Sequence, residues 1–276
     1  MITENLLVAA EPERFEVPSL QHLFENPPFL FQNLEVLGVP LGFNRMALLT
    51  FVSVAILLAL FFAAFRKPKV VPGKFQAVME ALVAFVRDYI VIEVIGPAGL
   101  KFVPFLTSLF LFIWISNFFE IMPLVQFPTT SRMALPAFLA FVVWTMFILV
   151  GVREQGPVYF KNVVVPPGVP WWVMPLVVPI ELVSTFVVRP FTLSVRLFTN
   201  MVAGHILLAV IFIASNAFLW DVTTLQFNLK GSPIGILALA AGPLMVGFEF
   251  MVGVLQAYIF TILAAVYLSG SLHPEH

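Results

Sequence analysis

The chain has 276 residues, 61% of them hydrophobic and only 11% charged, with a mean hydropathy of +1.02. That composition belongs to polytopic membrane proteins. The net charge of −1 offers no basic field for nucleic acid, and the absence of cysteine excludes disulfides, thiolate metal sites and cysteine nucleophiles.

The first 44 residues are polar and acidic, with Glu4, Glu11, Glu13 and Glu16, and lack the basic start and apolar core of a cleaved signal. They are expected to form an extracytoplasmic segment, followed by a single membrane domain from 45 to 276. A bilayer core takes about 20 apolar residues per helix. Residues 46–65 are a charge-free run between Arg45 and the cluster Arg66, Lys67, Lys69, and are read as the first span. Residues 74–93 mix Glu80, Arg87, Asp88 and Glu93 with apolar residues, the pattern of an amphipathic helix lying at the interface. Spans follow at 102–119 and 133–152. The segment 153–170 is polar and then Pro-rich, and Trp171 and Trp172 read as interfacial anchors.

The last two apolar segments, 171–220 and 233–272, are joined by the polar stretch DVTTLQFNLKG. The fold class is therefore all-α, with about five crossings and one interfacial helix. If the cluster after the first span is cytoplasmic, the N-terminus lies outside and the C-terminus inside. Arg66, Lys67, Lys69, Lys74, Arg87, Lys101, Arg153 and Lys161 then fall inside, and only Arg14, Arg45, Arg132 and Lys230 outside, as the positive-inside rule asks. About 40 residues of helix span roughly 60 Å, twice the hydrocarbon thickness. The last two segments must break or tilt strongly, as a surface laid along a neighbouring object would.

These two segments hold the charges that belong to neither side. In an antiparallel hairpin turning near residue 226, Arg196 lies level with Gln256 and His205 level with Glu249. Arg196 and Asn200 are i,i+4 on one helix, Glu249 and Gln256 are i,i+7 on the other, and Ala203, Gly204, Gly247 and Gly253 permit close approach. Ionisable residues inside a membrane are rare and usually functional. The bland readings stay beside this one. Arg189 can snorkel, Glu181 can be an interface residue, His205 and Glu249 can be a structural pair, and Asn117 and Glu120 can be ordinary residues at a span end or line an aqueous entrance. Histidine and carboxylate exchange protons near neutral pH, whereas arginine does not. Arginine repels a passing hydronium but stabilises a carboxylate that has lost its proton beside it. No acid of this chain stands level with Arg196, so that carboxylate is expected on another protein.

RLFTNMVAGH (196–205) and LQAYIFTILAAVYLSG (255–270) resemble the two signatures of subunit a in the membrane sector of F-type ATP synthases; FRKPKVVPGKFQ (65–76) and NFFEIMPLVQFP (117–128) resemble further parts of that family. The resemblance implies a subunit with two offset half-channels against a rotating ring of proteolipid c subunits, each carrying a carboxylate. It implies Arg196 as the essential arginine, Asn200 and Gln256 as its polar flanks, and His205 with Glu249 as the outer relay, in the histidine-first order. Asn117, Glu120, Glu181 and Arg189 are candidates for lining the half-channels. The spacing of Glu181 to the arginine departs from the family's by one residue. The resemblance also implies peripheral-stalk subunit b, the rest of the synthase and membrane lipids as partners, in a bacterial plasma membrane rather than an organellar one. It implies no catalytic residue, metal or cofactor, and no Walker-type loop or His-Glu-x-x-His motif is present. Two other classes are weighed: a transporter binding an anion at Arg196, against which no internal repeat is found, and a scaffold without an ion path, which leaves Arg196 without a role.

Overall fold

The computed structural model describes residues 35–36, 39–40, 44–122, 125, 129–130, 132–165, 171–221, 226–227 and 232–272. Glu4, Glu11, Glu13 and Glu16, together with Arg14 and Lys230, lie outside these. Helix α1 (Arg45–Phe65) opens where the Asn44 side chain accepts the Ala47 N–H at 2.9 Å, a helix N-cap. Helix α2 (Lys74–Val86) runs on as a π-turn, Arg87–Ile92. Gly96, at φ 84°, turns the chain into a 3-10 turn (Pro97–Phe102) that leads into α3 (Val103–Ile121). Helix α4 (Ala134–Gln155) stops at Gly156, whose φ of 65° suits only a residue without a side chain. Then come α5 (Val158–Val164), α6 (Met174–Val183), a π-turn (Ser184–Val188), α7 (Arg189–Leu219) and α8 (Ser232–Leu272). Two two-residue antiparallel ladders complete the described residues: β1 (Glu35–Val36) with β2 (Val39–Pro40), and β3 (Trp220–Asp221) with β4 (Gln226–Phe227).

The architecture is all-α, and among the described residues five stretches are long and apolar enough to cross a membrane: Arg45–Phe65, Pro97–Ile121, Ala134–Gln155, Met174–Leu219 and Pro233–Leu272. The second begins earlier than the apolar run suggests, because the turn at Pro97 already winds helically. The segment 153–170, read as loop, holds α5; seven residues started by Pro157 are too few for a periodicity to register. The interfacial stretch 74–93 changes hydrogen-bond pattern at Arg87, so it is two elements in series. Neither long segment breaks. Met174–Leu219 continues through Pro179 and Pro190 by widening into the π-turn, and the last helix continues through Pro243. Forty-six residues of helix rise about 70 Å, so only strong tilt or curvature fits them to a bilayer.

The described residues divide into two compact units. One comprises those within 28–202 and 250–276. Its core gathers Val86, Ile90, Leu106, Ile113, Phe147, Phe260 and Leu268, all essentially without solvent contact. Ser116 Oγ lies 3.4 Å from Ser53 Oγ, a hydroxyl contact between α3 and α1. At the end of α4, Tyr159 is buried with its ring against Gly151 and its hydroxyl 3.3 Å from Ser271 Oγ. Beside it Gln155 Nε2 donates to the Ser271 carbonyl at 2.8 Å and Asn162 Nδ2 donates to Gln155 Oε1 at 3.1 Å. The C-terminal turn of α8 is thereby fastened to α4 and α5.

A side chain on Gly151 has no room: a Cβ there would stand 2.2 Å from the Tyr159 ring. Gly151→Ala is expected to destabilise by about 1–3 kcal/mol through overpacking. Tyr159→Phe removes only the hydroxyl contact and should cost about 0.5–1.5 kcal/mol. Thermal unfolding of the purified protein checks both, and an unchanged midpoint for Gly151→Ala would show that the ring does not confine this site.

Candidate functional site

The second compact unit, among the described residues, is 203–249. It contains Glu249, an ionisable residue on an apolar helix and only 7% exposed. The carboxylate has this place because Gly204 has no side chain. A Cβ on Gly204 would stand 2.3 Å from Glu249 Oε2, 2.6 Å from Cδ and 2.8 Å from Oε1. His205, the next residue along α7, is half-buried. Two further contacts follow from the same antiparallel pairing. Phe212 lies against Gly242, with a Cβ there 3.2 Å from the ring, and Leu219 lies against Gly235. Each stride of seven or eight residues along α7 is matched by a stride of seven back along α8. The turn itself comes earlier than residue 226, since Trp220 pairs with Phe227 and Asp221 with Gln226.

The other polar residues stand in the larger unit. Leu193, Leu197 and Met201 form the buried stripe of α7 at helical spacing. Arg196 falls between them and is exposed, with Thr192 and Thr199 exposed beside it. Both threonine hydroxyls donate to carbonyls of their own helix, Thr192 to Val188 and Thr199 to Val195, each at 2.8 Å. Asn200 is half-buried. On α8 Gln256 is buried, and its Nε2 has no hydrogen-bond partner among the described residues.

Asn117, read from sequence as a residue at a span end or a lining of an aqueous entrance, is buried and donates from Nδ2 to the Gly253 carbonyl at 3.2 Å, one turn before Gln256. Its Oδ1 has no partner among the described residues. Glu120, one turn further along α3, is buried too. Arg189 is half-buried with its guanidinium carbon 5.5 Å from the Tyr267 ring centroid, a cation–π contact. Glu181 is half-buried on α6. A cavity of about 650 Å³, lined by Leu82, Phe85, Phe110, Trp114, Met251 and Tyr258 among others, carries no charged side chain and is separate in chemistry from these residues. Among the described residues no group of three or more His, Asp or Glu side chains could hold a metal ion.

The chain matches the family described as ATP synthase A chain over residues 47–269. The chain belongs to the ATP synthase subunit a family. Among curated relatives, ATP synthase subunit a of Pseudarthrobacter chlorophenolicus is 41% identical over 239 residues, covering 86% of this chain and 88% of the relative. The subunit a of Frankia alni is 38% identical over 269 residues, covering 96% and 89%, and that of a Parafrankia species 43% over 232 residues, covering 83% and 76%. Arg196, Asn200, His205, Glu249 and Gln256 all fall within the matched residues. Most of the acidic N-terminal segment precedes them.

The pairing of the subunit's last two helices has a direct check. In the cysteine-free background, Phe212→Cys with Gly242→Cys and Leu219→Cys with Gly235→Cys should join through a short thiol crosslinker. Phe212→Cys with Leu244→Cys should not, because Leu244 is 75% exposed and faces away. Crosslinking of the last pair alone would displace the register.

Proposed function

We propose that this subunit a is the proton-conducting stator subunit of the synthase's membrane sector. In this reading it holds two offset aqueous half-channels. Arg196 faces the carboxylates of the c-ring proteolipids, with Asn200 and Gln256 flanking it. His205 and Glu249 pass protons in the outer half-channel, and Asn117, Glu120, Glu181 and Arg189 line the routes. The observation that carries the reading is the contrast between two charges on apolar helices. Arg196 points outward from the buried stripe of α7, while Glu249 is enclosed against Gly204.

The chemistry follows from the groups. A ring carboxylate arriving protonated from lipid loses its proton beside Arg196, because the guanidinium favours the charged form. Arginine keeps its own proton and repels hydronium, so protons do not slip directly from one half-channel to the other. Each proton crossing 100 mV releases about 2.3 kcal/mol, so the ring must add several steps for each ATP. The subunit forms no covalent bond in this cycle and is not itself the catalyst.

The reading places residues 45–276 in one membrane domain of a bacterial plasma membrane, with the N-terminal segment outside and the C-terminus cytoplasmic. Subunit b and the remaining synthase hold it fixed against the ring. Arg196→Ala should reduce proton-driven ATP synthesis in membrane vesicles by at least 100-fold, roughly 3 kcal/mol. Arg196→Lys should fall nearly as far, since lysine lacks the planar fork and loses its proton when desolvated. Substantial synthesis with lysine at 196 would remove the guanidinium from the mechanism.

A further inference from the structure

Between α1 and α2 the chain reads Arg66-Lys67-Pro68-Lys69-Val70-Val71-Pro72-Gly73-Lys74, and every one of these residues is exposed. The loop is nonetheless held. Gln76, buried at the start of α2, donates from Nε2 to the Lys69 carbonyl at 3.3 Å and accepts the Lys69 N–H at 3.4 Å. Gln76 Nε2 also donates to Glu80 Oε1 at 2.7 Å. Pro68 and Pro72 fix φ on either side of the tip. The tip consists of Val70 and Val71, 103% and 81% exposed.

Two other cations of the same unit are paired with carboxylates. Arg87 is paired with Asp88 at 2.7 Å and holds that carboxyl below its usual range through their hydrogen bond. Lys101 is paired with Glu154. Among the described residues Arg66, Lys67, Lys69 and Lys74 have no carboxylate partner; Arg66 only leans over the Phe62 ring at 5.2 Å. The neighbouring acid on α2, Glu80, is the one bonded to Gln76.

A solvated charge run accounts for the cations but not for two fully exposed valines held at their centre. A membrane surface accounts for both. The loop starts one residue after a membrane-crossing helix ends, and the polar headgroup layer is only about 5–7 Å thick on each side of the hydrocarbon. Phosphates are therefore within reach of all four cations, and the acyl boundary within reach of the tip.

We propose that residues 66–74 form a binding site for anionic phospholipid, with Arg66, Lys67, Lys69 and Lys74 on headgroup phosphates and Val70 and Val71 in the acyl boundary. The loop's prior order lowers the entropy lost on binding. The proposal stands independently of the proton path.

The test uses the intact complex, purified in mild detergent, with retained lipid counted by mass spectrometry after a wash with phosphatidylglycerol and phosphatidylcholine in equal parts. The wild type should retain phosphatidylglycerol selectively. Each neutralised lysine should weaken that retention roughly five-fold, the equivalent of about 1 kcal/mol per basic residue at an anionic surface. The triple variant Lys67→Gln, Lys69→Gln, Lys74→Gln should lose at least ten-fold; the triple exchange of the same lysines to arginine should keep it. Should the glutamine triple fail to assemble, Lys69→Gln alone reads the five-fold step. Unchanged retention in the single and triple variants would overturn the proposal. So would a photo-crosslinker at position 70 that captures a protein subunit and no lipid, or inorganic phosphate that displaces the retained lipid at equal concentration.

Discussion

A carboxylate on a membrane helix needs a place that hydrocarbon does not reach, because lipid tails offer it no hydrogen bond. Glu249 obtains that place from a missing side chain, its carboxylate filling the room that a Cβ on Gly204 would take. Once that contact is set, the pairing of the two helices in this unit is set with it. Phe212 comes to Gly242 and Leu219 to Gly235, two further positions where a glycine admits a large partner. An alanine at any of the three would force the neighbour to give way, and at Gly204 the neighbour is the ionisable group itself.

The polar residues of the larger unit divide in the opposite sense. Arg196 is presented outward, and the hydroxyls on either side of it are occupied by carbonyls of their own helix. Gln256 and Asn117 are buried, each with one polar atom left without a partner among the described residues. An unsatisfied buried polar atom costs about 1–3 kcal/mol, and such atoms in a native fold call for an explanation by strain or by function. Their spacing of one helical turn at Gly253 brings the two open atoms to the same stretch of α8.

Much of this was legible in residue order. Apolar runs of sufficient length announce the five membrane-length helices, whereas the Asn44 cap of the first emerges only from the structure. The level pairing of α7 and α8 follows from antiparallel geometry alone, and the contact of Gly204 with Glu249 agrees with it. The less legible parts have identifiable causes. Helix α5 is too short for periodicity and lies in a segment whose prolines suggest loop. The π-turns at Arg87–Ile92 and Ser184–Val188, the second ending two residues before Pro190, leave no mark in the apolar spacing. Asn117 with Gly253 and Tyr159 with Ser271 join residues more than a hundred positions apart, Tyr159 meets Gly151 across a helix end, and only packing reveals these contacts.

We propose that His205 and Glu249 act as one pair, because the carboxylate is seated against the residue next to the histidine. A double-mutant cycle on proton-driven ATP synthesis tests it most directly. His205→Glu and Glu249→His each leave two like groups in one place and should each lose most of the activity. The double exchange, which restores one acid and one base on the same two helices, should recover at least ten-fold over either single variant. Losses that simply multiply, with the double exchange as inactive as the product of the singles, would show that the two residues act independently.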